Sequence, residues 1–163
     1  MFRQALAIPT IVALLGLGGC SLWEQDTSRG PEKSVNTDLS GEEEVPPVET
    51  KGHGTAEVHY NTATRELSWD ISYDDLSGDA TAAHFHGPGR MGEAGAPVQI
   101  PLGDKGLGSP ITGSTQLTEE QAKELLAGEW YVNIHTANHP DGEIRGQVIP
   151  EKEWFENPPE PAS

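Results

Sequence analysis

The chain has 163 residues, a formal charge of −16 and a single cysteine. This length bounds one domain with tails. The acidity argues against nucleic acid and against an anionic lipid surface as partner. With one thiol no intrachain disulfide can form, so stability must come from a packed core or a bound metal. The 19 glycines and 13 prolines fit a turn-rich β architecture better than a helical one.

In chain order, the first residues read as an export signal. Arg3 supplies a positive start, and Ala5 to Leu17 is an apolar run too short for a membrane span, which needs roughly 20 residues. Leu17-Gly18-Gly19-Cys20 resembles a lipobox, which implies cleavage after residue 19 and lipidation of Cys20. Ser21 in the following position resembles an outer-membrane sorting signal, so the expected location is the cell envelope, on the outer membrane facing the periplasm. The expected divisions are 1–19 signal peptide, 20–36 lipidated cysteine and flexible tether, 37–150 globular domain and 151–163 acidic, proline-rich tail. In that tail Trp154 and Phe155 could dock on the domain. No internal repeat is visible.

Within the domain, alternation with a period of two dominates, which is the signature of half-buried strands. Ala56, Val58 and Tyr60 share one face, and Asn61 to Thr64 make a turn. Leu67, Trp69, Ile71 and Tyr73 alternate with polar residues, and Ala82 to His86 is the next strand. Val98, Ile100 and Leu102 alternate again, then Ile111 to Leu117. One helix is predicted over Glu119 to Ala127, with Thr118 as N-cap, Gln121 completing a capping box and Gly128 ending it. Trp130 to His135 and Ile144 to Ile149 form a hairpin turned at Asn138-His139-Pro140-Asp141-Gly142. The predicted core comprises Leu67, Trp69, Ile71, Val98, Ile100, Val132, Ile134 and Val148. Seven or eight short strands with one short helix point to an all-β Greek-key β-sandwich or flattened barrel.

All six histidines lie inside the domain. His84 and His86 are two apart on a strand, so both imidazoles project from one face. His135 ends another strand, sharing a face with Tyr131 and Asn133, and His139 lies on the turn just beyond. If the two strands pair or face each other, His84, His86 and His135 converge, with His139 as a fourth ligand. A nitrogen site without thiolate favours copper or zinc, with copper ahead on affinity. The alternative is that these histidines donate to backbone carbonyls and fix loops. His53 and His59 lie roughly 20 Å apart on their strand and cannot share an ion, so they read as surface residues. Arg145, beside the turn, is either a guide for small anions near the metal or the partner of Glu143 or another acid. No nucleophile constellation or phosphate loop is present.

Four blocks carry a family resemblance: Glu44-Val45-Pro46-Pro47-Val48, Thr81-Ala82-Ala83-His84-Phe85-His86-Gly87-Pro88, Gly128 to Thr136, and Asp141-Gly142-Glu143-Ile144-Arg145-Gly146-Gln147. In this order they resemble the CHRD (chordin-type) family over about Asp38 to Ile149. That family occurs in animal chordins and in bacterial exported proteins. A second resemblance, carried by His84-Phe85-His86-Gly87, His135, Arg145 and Val148-Ile149, is to Cu/Zn superoxide dismutases. It implies an immunoglobulin-like or superoxide-dismutase-like fold, with His84, His86 and His135 as copper ligands and Arg145 as the anion guide. The zinc-binding loop of those enzymes has no counterpart between Pro88 and Leu102, so the resemblance implies copper rather than zinc.

Three functions compete. One is an envelope-anchored lipoprotein that binds copper through the histidine cluster. The second is a non-catalytic protein-interaction module of the envelope, held to the membrane by its lipid. The third is a dismutase-like oxidoreductase. Convergence of the three imidazoles separates the first from the second.

Overall fold

The structure, a computed structural model, describes residues 32–151. The export signal, Cys20, Ser21 and the tail aromatics Trp154 and Phe155 lie outside the described residues. Eight strands and one helix follow in order: β1 Glu32–Ser40, β2 His53–Asn61, β3 Glu66–Asp74, β4 Ala80–His86, β5 Val98–Pro101, β6 Ile111–Gln116, α1 Glu119–Leu126, β7 Trp130–Thr136 and β8 Ile144–Val148. A single 3-10 turn, Gly41–Glu43, follows β1.

The strands form one antiparallel sheet in the order β5-β4-β7-β8-β1-β2-β3-β6. The sheet is curled upon itself. Trp69 of β3 and Phe85 of β4 stand five places apart in the sheet, yet their rings meet edge-on with centroids 5.5 Å apart. Phe85 in turn packs on Trp130 at 5.9 Å. The two end strands, β5 and β6, line a common cleft with Trp69 and Gln121 and leave a seam along the curled sheet. Strands β3 to β6 run β3-β6, seam, β5-β4, which is Greek-key order. The expected all-β architecture with one short helix is what the chain adopts.

Alternation fills the inside. Ala56, Val58 and Tyr60 of β2, Leu67, Trp69 and Ile71 of β3, and Ala83 and Phe85 of β4 are all buried. Val132, Ile134 and Val148 join them. Trp69 crosses Gly113 of the neighbouring strand so closely that a Cβ there would lie 2.5 Å from the indole. The helix forms as its signals predict: the Thr118 hydroxyl accepts from the Gln121 backbone, the Gln121 side chain accepts from the Thr118 backbone, and Leu125 is fully buried.

Two expectations need correction. Val98 is 49% exposed. It starts the edge strand where the β4–β5 register slips between Phe85 and His86, so Ile100 turns inward and Val98 does not. The strand β1 begins at Glu32, so residues 32–36, read as tether, pair with β2 from Asn61 to Glu57. Their alternation is hidden because Thr37 stands between the buried Val35 and Leu39. Its hydroxyl donates to the Gln147 carbonyl at 2.8 Å, so the polar residue has a strand-to-strand partner.

Strands β7 and β8 are buried along their whole length. Their inner face meets the core. Their outer face, bearing Tyr131, Asn133, His135, Arg145 and Gln147, is covered by the 87–97 segment and by the chain around Glu44. Most polar groups buried there find partners; Asn133 Oδ1 is buried without one.

A candidate metal centre of three histidines

Strands β4 and β7 are neighbours, with His84 opposite Asn133 and Ala82 opposite His135. This antiparallel register puts His84, His86 and His135 on one outer face, as the alternative with adjacent strands predicts. The His84 Nδ1 and His135 Nε2 atoms are 3.2 Å apart. One nitrogen from each of the three rings lies within 4.8 Å of the others, a group that could hold a metal ion. Ligand nitrogens about 2.0–2.1 Å from one ion are at most about 4.2 Å apart. Around a tetrahedral ion they lie about 3.4 Å apart, so binding would draw the widest pair together by at most about 1.4 Å.

Hydrogen bonding sets which nitrogens are free. His86 Nδ1 faces the Ala96 carbonyl at 2.8 Å, and His135 Nδ1 faces the Pro140 carbonyl at 3.0 Å. A carbonyl only accepts, so both Nδ1 atoms carry the hydrogen and both neutral rings expose a lone pair on Nε2. His86 Nε2 is buried with no hydrogen-bond partner. His135 Nε2 has only His84 Nδ1, which therefore donates to it. The structure thus realises both readings of these residues: backbone carbonyls fix the His86 and His135 rings with Nε2 free of hydrogen, and His84 donates from Nδ1 to one of those lone pairs. Burial lowers the pKa of all three, and their mutual repulsion lowers that of His84 and His86 further. The cluster is neutral at neutral pH, the state a cation requires.

His139 does not join the group. It sits half-buried on the β7–β8 turn, among Glu44, Val45, Pro46, Asn138 and Asp141. Its backbone closes the turn with Thr136, which leaves its ring off the β4–β7 face. His53 and His59 are surface residues as expected. His53 bonds the Lys51 carbonyl, and His59 lies 3.4 Å from Glu57 and 3.6 Å from Glu32.

Arg145 lies on β8, on the same outer face, but it is only 3% exposed. Its guanidinium donates to the carbonyls of Glu93 (2.7 Å) and Arg90 (3.3 Å) and to the Gln147 side chain (3.3 Å). It also lies 3.6 Å from the centre of the Tyr131 ring. These contacts engage three of the five N–H donors that an anion guide would present. Glu143 is not its partner: that carboxylate is taken up by the Thr50, Ser77 and Thr136 hydroxyls and the Ser77 backbone instead.

Glu143 and Glu44 escaped the sequence reading, which had weighed Glu143 only as a partner of Arg145. Glu143 is fully buried and accepts four hydrogen bonds, from the hydroxyls of Thr50, Ser77 and Thr136 and the Ser77 backbone, at 2.6–2.7 Å. Burial raises its pKa, but the donors outweigh burial and hold the carboxylate at about 2. It ties three segments to the turn that presents Pro140 to His135. Glu44 shows the opposite balance. Burial pushes its carboxyl up to about 7, against the charge of Arg145 and bonds from Asn133 Nδ2 at 3.0 and 3.1 Å. Gly142, at φ +134°, lets this pair approach, since a Cβ there would lie 2.5 Å from Asn133 and 2.6 Å from Glu44. The one available signal was alternation: Asn133 shares a face with His135, so a polar residue in the middle of a core strand called for a buried partner.

A family model described as CHRD domain matches residues 35–148. No curated protein and no solved structure gives a significant match.

Proposed function

We propose that this chain, which belongs to the CHRD family, is an envelope protein that binds one copper ion through His84, His86 and His135. The observation that carries the reading is the arrangement of lone pairs. Two rings are locked by carbonyls as Nε2 donors, one of these Nε2 atoms is buried without a partner, and a third ring stands 3.2 Å from the other. An unpartnered buried acceptor costs free energy unless a ligand fills the position. Three imidazoles without a thiolate or carboxylate favour copper over zinc by the affinity order. The Leu17-Gly18-Gly19-Cys20 ending supports attachment to the outer membrane by a lipid on Cys20, with the domain in the periplasm. Dismutase-like turnover is not part of the proposal, because the guanidinium that would guide an anion is buried against carbonyls and Tyr131.

The test is a copper titration of wild type and His86→Ala, followed by calorimetry and thermal melts. Wild type should bind one equivalent and melt higher with copper, by about 2.7 kcal/mol at a hundredfold excess over Kd. His86→Ala should lose most of both. Equal affinities and equal melting shifts would leave the histidines as structural residues and favour a protein-interaction module.

A further inference from the structure

We propose that Arg145 and Tyr131 form a clamp that fixes the ring orientation and the tautomer of His86. They are positioning residues of the imidazole site, and their consequence for metal rests on the copper reading above. His86 ends β4 just beyond the register slip at Phe85, so the sheet alone does not hold its ring. Two contacts do. The Tyr131 ring stacks on the imidazole, with centroids 5.0 Å apart and planes within 6° of parallel. The Ala96 carbonyl takes the Nδ1 hydrogen.

Arg145 bears on both contacts. Strands β4 and β8 flank β7, so Tyr131 is held between His86 on one side and the Arg145 guanidinium on the other. The Ala96 carbonyl belongs to the 87–97 segment, whose backbone is permissive. Gly92 and Gly95 both have φ +78° with open space around them, and Met91 is 60% exposed. The segment is placed by its ties: Arg145 to the carbonyls of Arg90 and Glu93, Gln147 to that of Gly89, Gly89 to that of Glu129, Gly87 to that of Pro97, and Tyr131 to the Ala96 backbone. A planar guanidinium can donate to two carbonyls and stack on a ring at once, which an ammonium cannot.

The sign of the effect separates this role from a simple charge effect. The positive charge of Arg145 disfavours a cation near His86, so a purely electrostatic role predicts tighter metal binding when that charge is removed. The clamp predicts weaker binding.

Two measurements on the full domain test the clamp. Long-range proton–nitrogen spectra of the metal-free protein report ring tautomers. Wild type should show His86 as the Nδ1–H form, and Arg145→Lys should show a mixture. His135 is held by Pro140 on a different turn, so it should keep its tautomer in both proteins, which a general loosening would not allow. Cu(II) titration should then give affinities at least about tenfold lower for Arg145→Lys and Arg145→Gln. An unchanged His86 tautomer in Arg145→Lys, or Cu(II) binding by Arg145→Gln as tight as wild type or tighter, overturns the clamp. If the Arg145 variants do not fold, Tyr131→Leu removes both the stack on His86 and the Tyr131 contact with the Ala96 backbone, and it is read by the same criteria. Wild type that fails to bind Cu(II) while Arg145→Lys shifts the His86 tautomer would sink the copper reading and uphold the clamp.

Discussion

Protonating Glu143 should unfasten the β7–β8 turn, and the structure gives the size of the effect. The folded carboxyl sits at about 2 against an ordinary 4.5, a difference of 2.5. Each unit of pKa difference is worth about 1.4 kcal/mol, so the four donors contribute on the order of 3 kcal/mol at neutral pH. The folded value is depressed, so the contribution is fully present above the unfolded pKa. It is lost as pH falls from about 4.5 through about 2. Many other carboxylates titrate in the same window, and a comparison isolates this one. Urea denaturation of wild type and Glu143→Gln at pH 6 and pH 3 gives four stabilities. The variant should be weaker by about 2–3 kcal/mol at pH 6, because an amide nitrogen replaces an acceptor among the hydroxyls. Most of that gap should close by pH 3. Parallel pH profiles, or a Glu143 carboxyl that titrates near 4.5 by NMR in the folded protein, would refute the reasoning.

Glu44 should behave with the opposite sign. Its folded pKa is raised to about 7, so its contribution is complete below about 4.5 and is lost as pH rises through 7. Glu44→Gln, which mimics the neutral form, should be more stable than wild type at pH 8 by about 1–3 kcal/mol and nearly equal at pH 5, as measured by chemical denaturation. Copper affinity, measured by competition with a chelator of known pH dependence, should hold from pH 8 down to about 6.5 and fall only below it. The pKa values of all three rings are lowered, so protons compete later than at a free imidazole. Cys20→Ala should move the protein from the membrane fraction to the soluble fraction, and unchanged fractionation would remove the lipid from the proposal.

Strand positions and the site face were legible in the sequence because alternation encodes both. The strands β3, β7 and β8 carry the expected inward residues, and the two-residue spacing of His84 and His86 already put their rings on one face. The joining of His135 to them depended on which strands pair, and that is decided by long-range contacts absent from local patterning. Strand β1 was illegible for a local reason: Thr37 occupies the middle of its buried face and is satisfied by a carbonyl 110 positions away in sequence. His139 looked equivalent to His135 by proximity. The turn between them points the chain elsewhere, and four residues of separation across a turn carry no information about facing. Arg145 was read with its acids rather than with its carbonyls, because backbone acceptors leave no trace in composition.

The outer face of β7 and β8 explains why the site sits where it does. Central strands usually bury apolar side chains on a covered face, yet here the cover is laid over Tyr131, Asn133, His135, Arg145 and Gln147. An apolar face would be simpler to bury, since every polar atom placed there needs a partner. The partners come from two loops: Arg145 and Gln147 hold the 87–97 segment, and Asn133 holds Glu44. Each of the two carbonyls that orient the imidazoles, Ala96 and Pro140, belongs to a segment fastened in this way, the second through Glu143. Charge at this face is divided to match. Burial lowers the pKa of the three rings and raises the Glu44 carboxyl to about 7, while Glu143 stays ionised because its hydrogen bonds outweigh desolvation. The result is a fixed cluster of three imidazoles in a strongly acidic molecule whose field draws cations, and to receive one His84 must move its hydrogen from Nδ1 to Nε2.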